Sequence, residues 1–274
     1  MKRIILGIIL LSSVFRVNAQ EAADKKVQAG LVFGYGMAFQ KMETKNIKTN
    51  GMGSDLTIGA NMNYAFNDNI GLNIGIEFDF ETLKYKGTDD YSFVPGDKNL
   101  YYAFSDSEIK SRTDDINIQD YNNADYDVFH LLERKQKAVY LTVPTMILFR
   151  TKFIGYFRYF GKFGLKTSFL LGSKINDEGF NLSSSTPGEI SENSNMTAKN
   201  EMFFMKSSVG LAGGAEWNFV GSTSLVAEIG YYYGFVPLYY NKDSQDRYLT
   251  TPADGNINNK AKQSQLMFKV SILF

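Results

Sequence analysis

The chain has 274 residues, with 29 basic and 29 acidic side chains, one histidine and no cysteine. That length accommodates one large domain or two small ones. The charge balance gives no reason to expect a nucleic-acid partner, and the missing cysteine excludes disulfides, thiolate metal sites and a lipid-bearing cysteine.

The first nineteen residues read as a cleavable signal peptide. Lys2 and Arg3 form a positive start, Ile4 to Phe15 is apolar, and Val17-Asn18-Ala19 is a small-residue cleavage site. The apolar run is about twelve residues, short of the roughly twenty that a spanning helix needs. Cleavage after Ala19 would start the mature chain at Gln20, and losing Lys2, Arg3 and Arg16 takes its formal charge from zero to minus three. Beyond residue 19 no apolar stretch approaches spanning-helix length. A membrane β-strand alternates lipid-facing and lumen-facing residues, so its mean hydropathy is unremarkable.

Alternation of period two is the dominant pattern in residues 20–274. In the first run, Ala29, Leu31, Phe33, Tyr35, Met37 and Phe39 alternate with Gly30, Val32, Gly34, Gly36, Ala38 and Gln40. Ten residues of such alternation make a strand and exclude a helix. The second run sets Leu56, Ile58, Ala60, Met62, Tyr64 and Phe66 against Asp55, Thr57, Gly59, Asn61 and Asn63. In the third, Leu72, Ile74, Ile76, Phe78 and Phe80 oppose Asn73, Gly75, Glu77, Asp79 and Glu81. The fourth has Val139, Leu141, Val143, Ile147 and Phe149 against Tyr140, Thr142 and Arg150. Tyr159, Phe163, Leu165 and Phe169 then face away from Arg158, Lys162, Lys166 and Ser168. A sixth run opposes Val209, Leu211, Ala215, Trp217 and Phe219 to Lys206, Ser208, Glu216 and Asn218. The seventh places Leu225, Ala227, Ile229, Tyr231, Tyr233 and Phe235 opposite Glu228, Gly230 and Gly234. The last alternates Leu266, Phe268, Val270, Ile272 and Phe274 with Lys269 and Ser271. Eight strands are therefore predicted.

Their links alternate in length. Short ones fall at Asn67-Asp68-Asn69, Lys152 to Gly155 and Val220 to Thr223; long ones span about 43–51, 87–136, 173–200 and 238–262. Short turns on one side and long loops on the other are the layout of an outer-membrane barrel. An even strand count puts both termini on the short-turn, periplasmic side. The fold class predicted is all-β: an antiparallel transmembrane β-barrel of eight strands over residues 20–274. A hairpin inside the second link would make it ten.

Alternation alone leaves open which face points outward. The polar faces carry Asp55, Glu77, Asp79, Glu81, Glu216 and Glu228 with Arg158, Lys162, Lys166, Lys206 and Lys269. An eight-stranded barrel is just wide enough to be filled by side chains, and mixed charges there can neutralise each other. The apolar faces end in aromatics, which suit lipid–water boundaries. The lipid-facing reading follows, with a soluble ligand-binding barrel, apolar inside, as its competitor.

Three segments carry a family resemblance. Gln265-Leu-Met-Phe-Lys-Val-Ser-Ile-Leu-Phe274 resembles the terminal strand signal read by outer-membrane assembly machinery. Tyr140-Leu-Thr-Val-Pro144 resembles the Tyr-x-x-x-Pro stretch of the PorT-like family of Bacteroidetes, eight-stranded barrels of the OmpA/OmpX type. Gly210 to Trp217 followed by Ser224 to Gly234 is similar to that family's last hairpin. The resemblance implies the fold and an outer-membrane address, with type IX protein secretion as the role of the family's named member. The partners implied are membrane lipid and lipopolysaccharide, the assembly machinery and other envelope proteins.

Candidate chemistry is sparse. His130, the single histidine, could serve a lipid-modifying enzyme together with a serine, and reads more simply as a loop residue. Glu77, Asp79 and Glu81 share a strand face and could hold a metal, or could bridge Arg158, Lys162 and Lys166 across the lumen. The ten acids and three bases from Asp89 to Asp127 could bind divalent cations at a lipopolysaccharide surface, but read as a solvated loop. Pro144 removes one ladder donor and predicts a bulge or a lumen-side kink. No catalytic residue, cofactor or metal is predicted. The function expected is structural or interactive, in secretion or surface attachment.

Overall fold

The computed structural model describes residues 26–88, 99–110, 124–186, 188–198, 201–221, 223–239, 250–251, 255–256 and 260–274. Eight long strands dominate: β1 (Val27–Met42), β2 (Gly53–Ala65), β3 (Ile70–Gly87), β4 (Asp127–Arg150), β5 (Phe157–Asn181), β6 (Met205–Val220), β7 (Thr223–Gly234) and β8 (Ala261–Leu273). Each pairs antiparallel with its sequence neighbour, and β8 pairs back onto β1 from Gly30↔Leu273 to Met42↔Ala261. The ring is closed, so no strand edge is left to face hydrocarbon unpaired. The predicted all-β antiparallel barrel with eight ring strands is the observed one.

The short turns are built by local chemistry. Asn67 Oδ1 accepts from the Asn69 and Ile70 backbone N–H groups at 3.0 and 2.8 Å, an Asx turn that reverses β2 into β3. Gly155 and Gly221 turn the next two hairpins with positive φ. Phe274 donates its N–H to the Ala29 carbonyl at 2.8 Å, closing the ring at this end.

The predicted outward face is the exposed one. Leu31, Phe33, Ile58, Ile76, Phe78, Phe163, Leu211, Ile229 and Phe268 all lie open on the outer wall. The acids and bases of the opposite faces are buried, Lys206 partly so, and the soluble ligand-binding barrel is thereby overturned for this part of the molecule.

Three predictions about the long links need correction. Residues 127–136, predicted as loop, are strand; β5 runs on to Asn181 through the predicted third link; and His130, predicted as a loop residue, belongs to β4. The reason is a change of code along the strands. Up to Phe80, β3 turns apolar residues outward, but beyond it Leu83 and Tyr85 are fully buried inside while Thr82, Lys84 and Lys86 face out. On β4 the inner side becomes apolar at Phe129 and Leu131 as the outer side becomes Glu133, Lys135 and Lys137. Bulges at Leu131/Glu133 and Val139/Tyr140 shift the parity further. The barrel therefore continues beyond the apolar band with soluble-protein polarity. Inside this extension Leu83, Tyr85, Leu100, Tyr102, Phe129, Leu131, Ile175, Met202, Leu238 and Tyr239 form one buried apolar cluster.

Short strands cap the extension. Leu100–Ser105 pairs with β4 at Asp127 to Leu131, in line with the end of β3, and folds back on Glu108–Ile109. It prolongs a wall position that β3 already holds, so the ring stays at eight. Ile47–Thr49 pairs with β3 and Ile190–Met196 with β5. The acid-rich stretch of the second link falls largely on residues 89–98 and 111–123, outside the described residues, as do residues 1–25. Pro144 faces the lumen and is buried, and the register runs unshifted past it, so no bulge marks the site.

Candidate functional site: the charged lumen and the extension above it

The lumen is lined by a sorted set of charges. Alternation forces every second residue inward, and the ring closure sets the acids of β2 and β3 against bases from β5, β6 and β8. Arg150, on the polar face of β4, joins the five predicted bases, so six acids meet six bases among the described residues.

The centre is a layer around Lys166. Its Nζ lies 3.0 Å from Asp79 Oδ2 and 3.9 Å from Asp55 Oδ2, and donates to Gln265 Oε1 at 3.3 Å. Asp79 also accepts from the hydroxyls of Thr57 and Thr142 at 2.6 and 2.7 Å. Gln265 Nε2 donates to Asp55 and Glu81, each at 2.7 Å. Lys206 pairs with Glu81, donates to Gln263 at 2.9 Å and sits 4.0 Å above the Tyr140 ring. A second pair joins Lys269 to both oxygens of Glu77 at 2.7 and 2.8 Å. Toward the short-turn end Lys162 holds Glu228 at 2.6 Å, and Arg158 grips Glu216 at 2.6 Å and Gln28 at 2.7 Å. The cross-lumen bridging predicted for Glu77, Asp79 and Glu81 occurs, but only Asp79 uses a predicted partner.

The carboxylate oxygens of Asp55, Asp79 and Glu81 come within 4.8 Å of one another. Lys166 and Lys206 reach into that same group, so its cations are supplied by the chain itself. Two lumen cavities of about 10 Å3 each, one near Lys206 and Tyr232 and one near Arg150 and Glu216, have room for about one water apiece. Among the described residues, the paired charges stack as successive layers across the lumen.

Above the lumen, where the wall changes polarity, stands Arg134. It is fully buried and bidentate to Asp177 at 2.8 and 2.7 Å, and a third donor reaches Glu201 at 2.8 Å. Tyr85 Oη accepts from it at 3.2 Å, and the Tyr102 ring lies 5.3 Å from the guanidinium carbon. Burial raises the Glu201 carboxyl above its usual range while Arg134 pulls it back. Burial likewise raises the phenols of Tyr85 and Tyr102, which stay neutral. The sequence pattern does not mark this triad, because Arg134 and Asp177 fall within the predicted long links 87–136 and 173–200. The signal that could have found it is Arg134 between Leu132 and Gln136 in an alternating run.

His130 is 2% exposed, stacked 4.9 Å from the Tyr101 ring and 5.6 Å from Phe180. It lies on the β4 face opposite Phe129, in a small apolar cluster with Val128 and Leu132. Such packing holds the ring in place between Tyr101 and Phe180.

The family model described as outer membrane protein beta-barrel domain matches residues 18–240. Search of curated proteins finds no match. Among solved structures, the chain is similar to Ail, the attachment invasion locus protein of Yersinia pestis, at 14% identity over 91% of this chain and 100% of that one, TM-score 0.30. It is similar to the outer membrane protein OprG from Pseudomonas aeruginosa at 11% identity, covering 93% and 98%, TM-score 0.41. The outer membrane protease OmpT from Escherichia coli aligns at 9% identity over 94% and 98%, TM-score 0.33. With its family model spanning most of the chain and its wall apolar outside and charged within, this protein belongs to the outer membrane protein beta-barrel domain family and resides in the cell outer membrane.

Proposed function

We propose that the chain is a plugged barrel of the PorT-like kind from a Bacteroidetes envelope, acting as a structural and interaction protein in secretion or surface attachment. The observation that carries this reading is the extension: a packed β-barrel storey with its own apolar core, standing beyond the lipid-facing band. A lumen filled by paired charges does not pass solute, whereas a rigid platform on the outer surface is suited to holding another protein. The Tyr140 to Pro144 stretch and the last hairpin support the family assignment. In this reading the strand ending at Phe274 is the segment that assembly machinery engages, and other envelope proteins dock on the extension.

The test has two parts. Purified protein in planar bilayers should give no steady conductance, and surface cross-linking in cells followed by mass spectrometry should capture a defined envelope protein through extension residues. Stable single-channel conductance from the wild-type barrel would refute the plugged reading. Cross-links confined to lipid-facing strands would refute the platform.

A further inference from the structure

The outer wall just above the apolar band holds an arrangement that is unfavourable in isolation. Lys84 of β3 stands directly across from Lys135 of β4, and Lys137 of β4 directly across from Lys174 of β5. On the flank, Lys48 of the Ile47–Thr49 strand faces Lys86 of β3, whose other neighbour in register is Glu133 of β4. Directly opposed side chains have Cβ atoms about 5 Å apart, and like charges placed so repel. None of these six lysines forms an ion pair with a carboxylate among the described residues; Lys174 reaches only the Asn195 carbonyl, at 3.4 Å. Lys48, Lys135, Lys137 and Lys174 are exposed, and Lys84 and Lys86 half-buried, all on the outward side of their strands.

Height identifies the ligand. Phe80 and Val139 are paired residues at the top of the lipid-facing band. Lys137 lies two residues beyond Val139 and Lys135 four, which at about 3.3 Å per residue and a tilt of about 40° is roughly 5 and 10 Å above the band. The headgroup layer on each side of a bilayer is roughly 5–8 Å thick. Lysine stems can lie along the apolar wall while their ammonium groups reach this layer. The side is the long-loop, outward-facing one.

We propose that Lys84, Lys135, Lys137 and Lys174, flanked by Lys48 and Lys86, form a binding site for the phosphate groups of a phosphorylated glycolipid of the outer leaflet. A phosphate seated between Lys84 and Lys135, or between Lys137 and Lys174, converts two repelling charges into one shared, charge-assisted contact. The acyl chains of the same molecule lie against the apolar wall at Phe80 and Leu171, which are exposed directly below.

The test uses the mature chain in phosphatidylcholine nanodiscs doped with bisphosphorylated lipid A or with the same lipid stripped of its phosphates. Lipid retained by the repurified protein is counted by mass spectrometry. Wild type should retain the phosphorylated form at least tenfold over the stripped form. The variant Lys84→Gln/Lys135→Gln/Lys137→Gln/Lys174→Gln should lose that preference, whereas Lys26→Gln/Lys152→Gln, at the short-turn end, should keep it. In plain phosphatidylcholine the fourfold variant should unfold at higher denaturant than wild type, because repulsion is relieved; with phosphorylated lipid A the order should reverse. Equal retention of both lipids by wild type, or no reversal of stability between a correctly heat-modifiable wild type and variant, overturns the site. Displacement of the lipid by micromolar glucosamine 1,6-bisphosphate also overturns it, because the lysines would then read a soluble anion instead of a membrane one.

Discussion

Removing Lys269 tests whether the lumen is held by paired charge. Its ammonium supplies both close contacts to Glu77, at 2.7 and 2.8 Å, and Glu77 is 2% exposed. In Lys269→Met the carboxylate keeps its buried position with no ammonium against it. A Coulomb estimate at an effective dielectric of about 20 gives roughly 6 kcal/mol at this separation. Two charge-assisted bonds at about 1.5–3 kcal/mol each give a similar figure, and buried pairs broken on one side typically cost about 3–5 kcal/mol. Methionine fills nearly the volume of the lysine stem, so cavity effects stay small. The assay is urea unfolding of the barrel in detergent or vesicles, read by tryptophan fluorescence and heat-modifiable migration. Lys269→Met should lose about 3–5 kcal/mol, and Lys269→Met/Glu77→Leu should recover all but about 1 kcal/mol. A single variant within about 1 kcal/mol of wild type would refute the paired-charge account of the lumen.

Arg134→Leu strips Asp177 and Glu201 of their shared partner outside the lipid band. It should cost about 3–5 kcal/mol locally, read as faster protease cleavage in the long links while the barrel still migrates as a folded, heat-modifiable species. In Gly210→Ala the new methyl would collide with the Cδ1–Cε1 edge of the Tyr232 ring. A loss of about 1–3 kcal/mol in the same urea assay should result, partly relieved by Tyr232→Leu. Leu83→Ala opens the apolar core of the extension and should cost about 2–5 kcal/mol, whereas Thr82→Ala beside it should change little.

The transmembrane half was legible because one rule governs it. From Leu72 to Phe80, or Leu225 to Tyr233, the large apolar residues keep one parity, and lipid enforces it. The extension broke the reading because that rule reverses. Leu83 and Tyr85 have the opposite parity to Phe78 and Phe80, so the run looks as if it ends, although the strand continues. Bulges beside Leu132 and Leu171 then slip the phase once more on β4 and β5. The charged lumen residues could be named from their faces, but their partners depend on ring closure. Glu77 finds Lys269 only because β8 returns to β1, a long-range fact that no local spacing contains. His130 departs from the loop prediction for the same reason as its neighbours: an aromatic-flanked histidine beyond the lipid band obeys the soluble pattern.

The change of polarity between Phe80 and Leu83 also acts as a depth gauge. Sinking the barrel by two residues' rise, about 5 Å along the membrane normal at a strand tilt of about 40°, would carry the lysines of β3 to β5 toward hydrocarbon. Each would resist by up to about 1 kcal/mol near the boundary, and more with depth. Raising it by as much would lift Phe80, Val139 and Leu171 into water. Both displacements are opposed on the same three strands, so the molecule cannot bob or tilt freely on that side. The outer storey is therefore held at a set height above the bilayer.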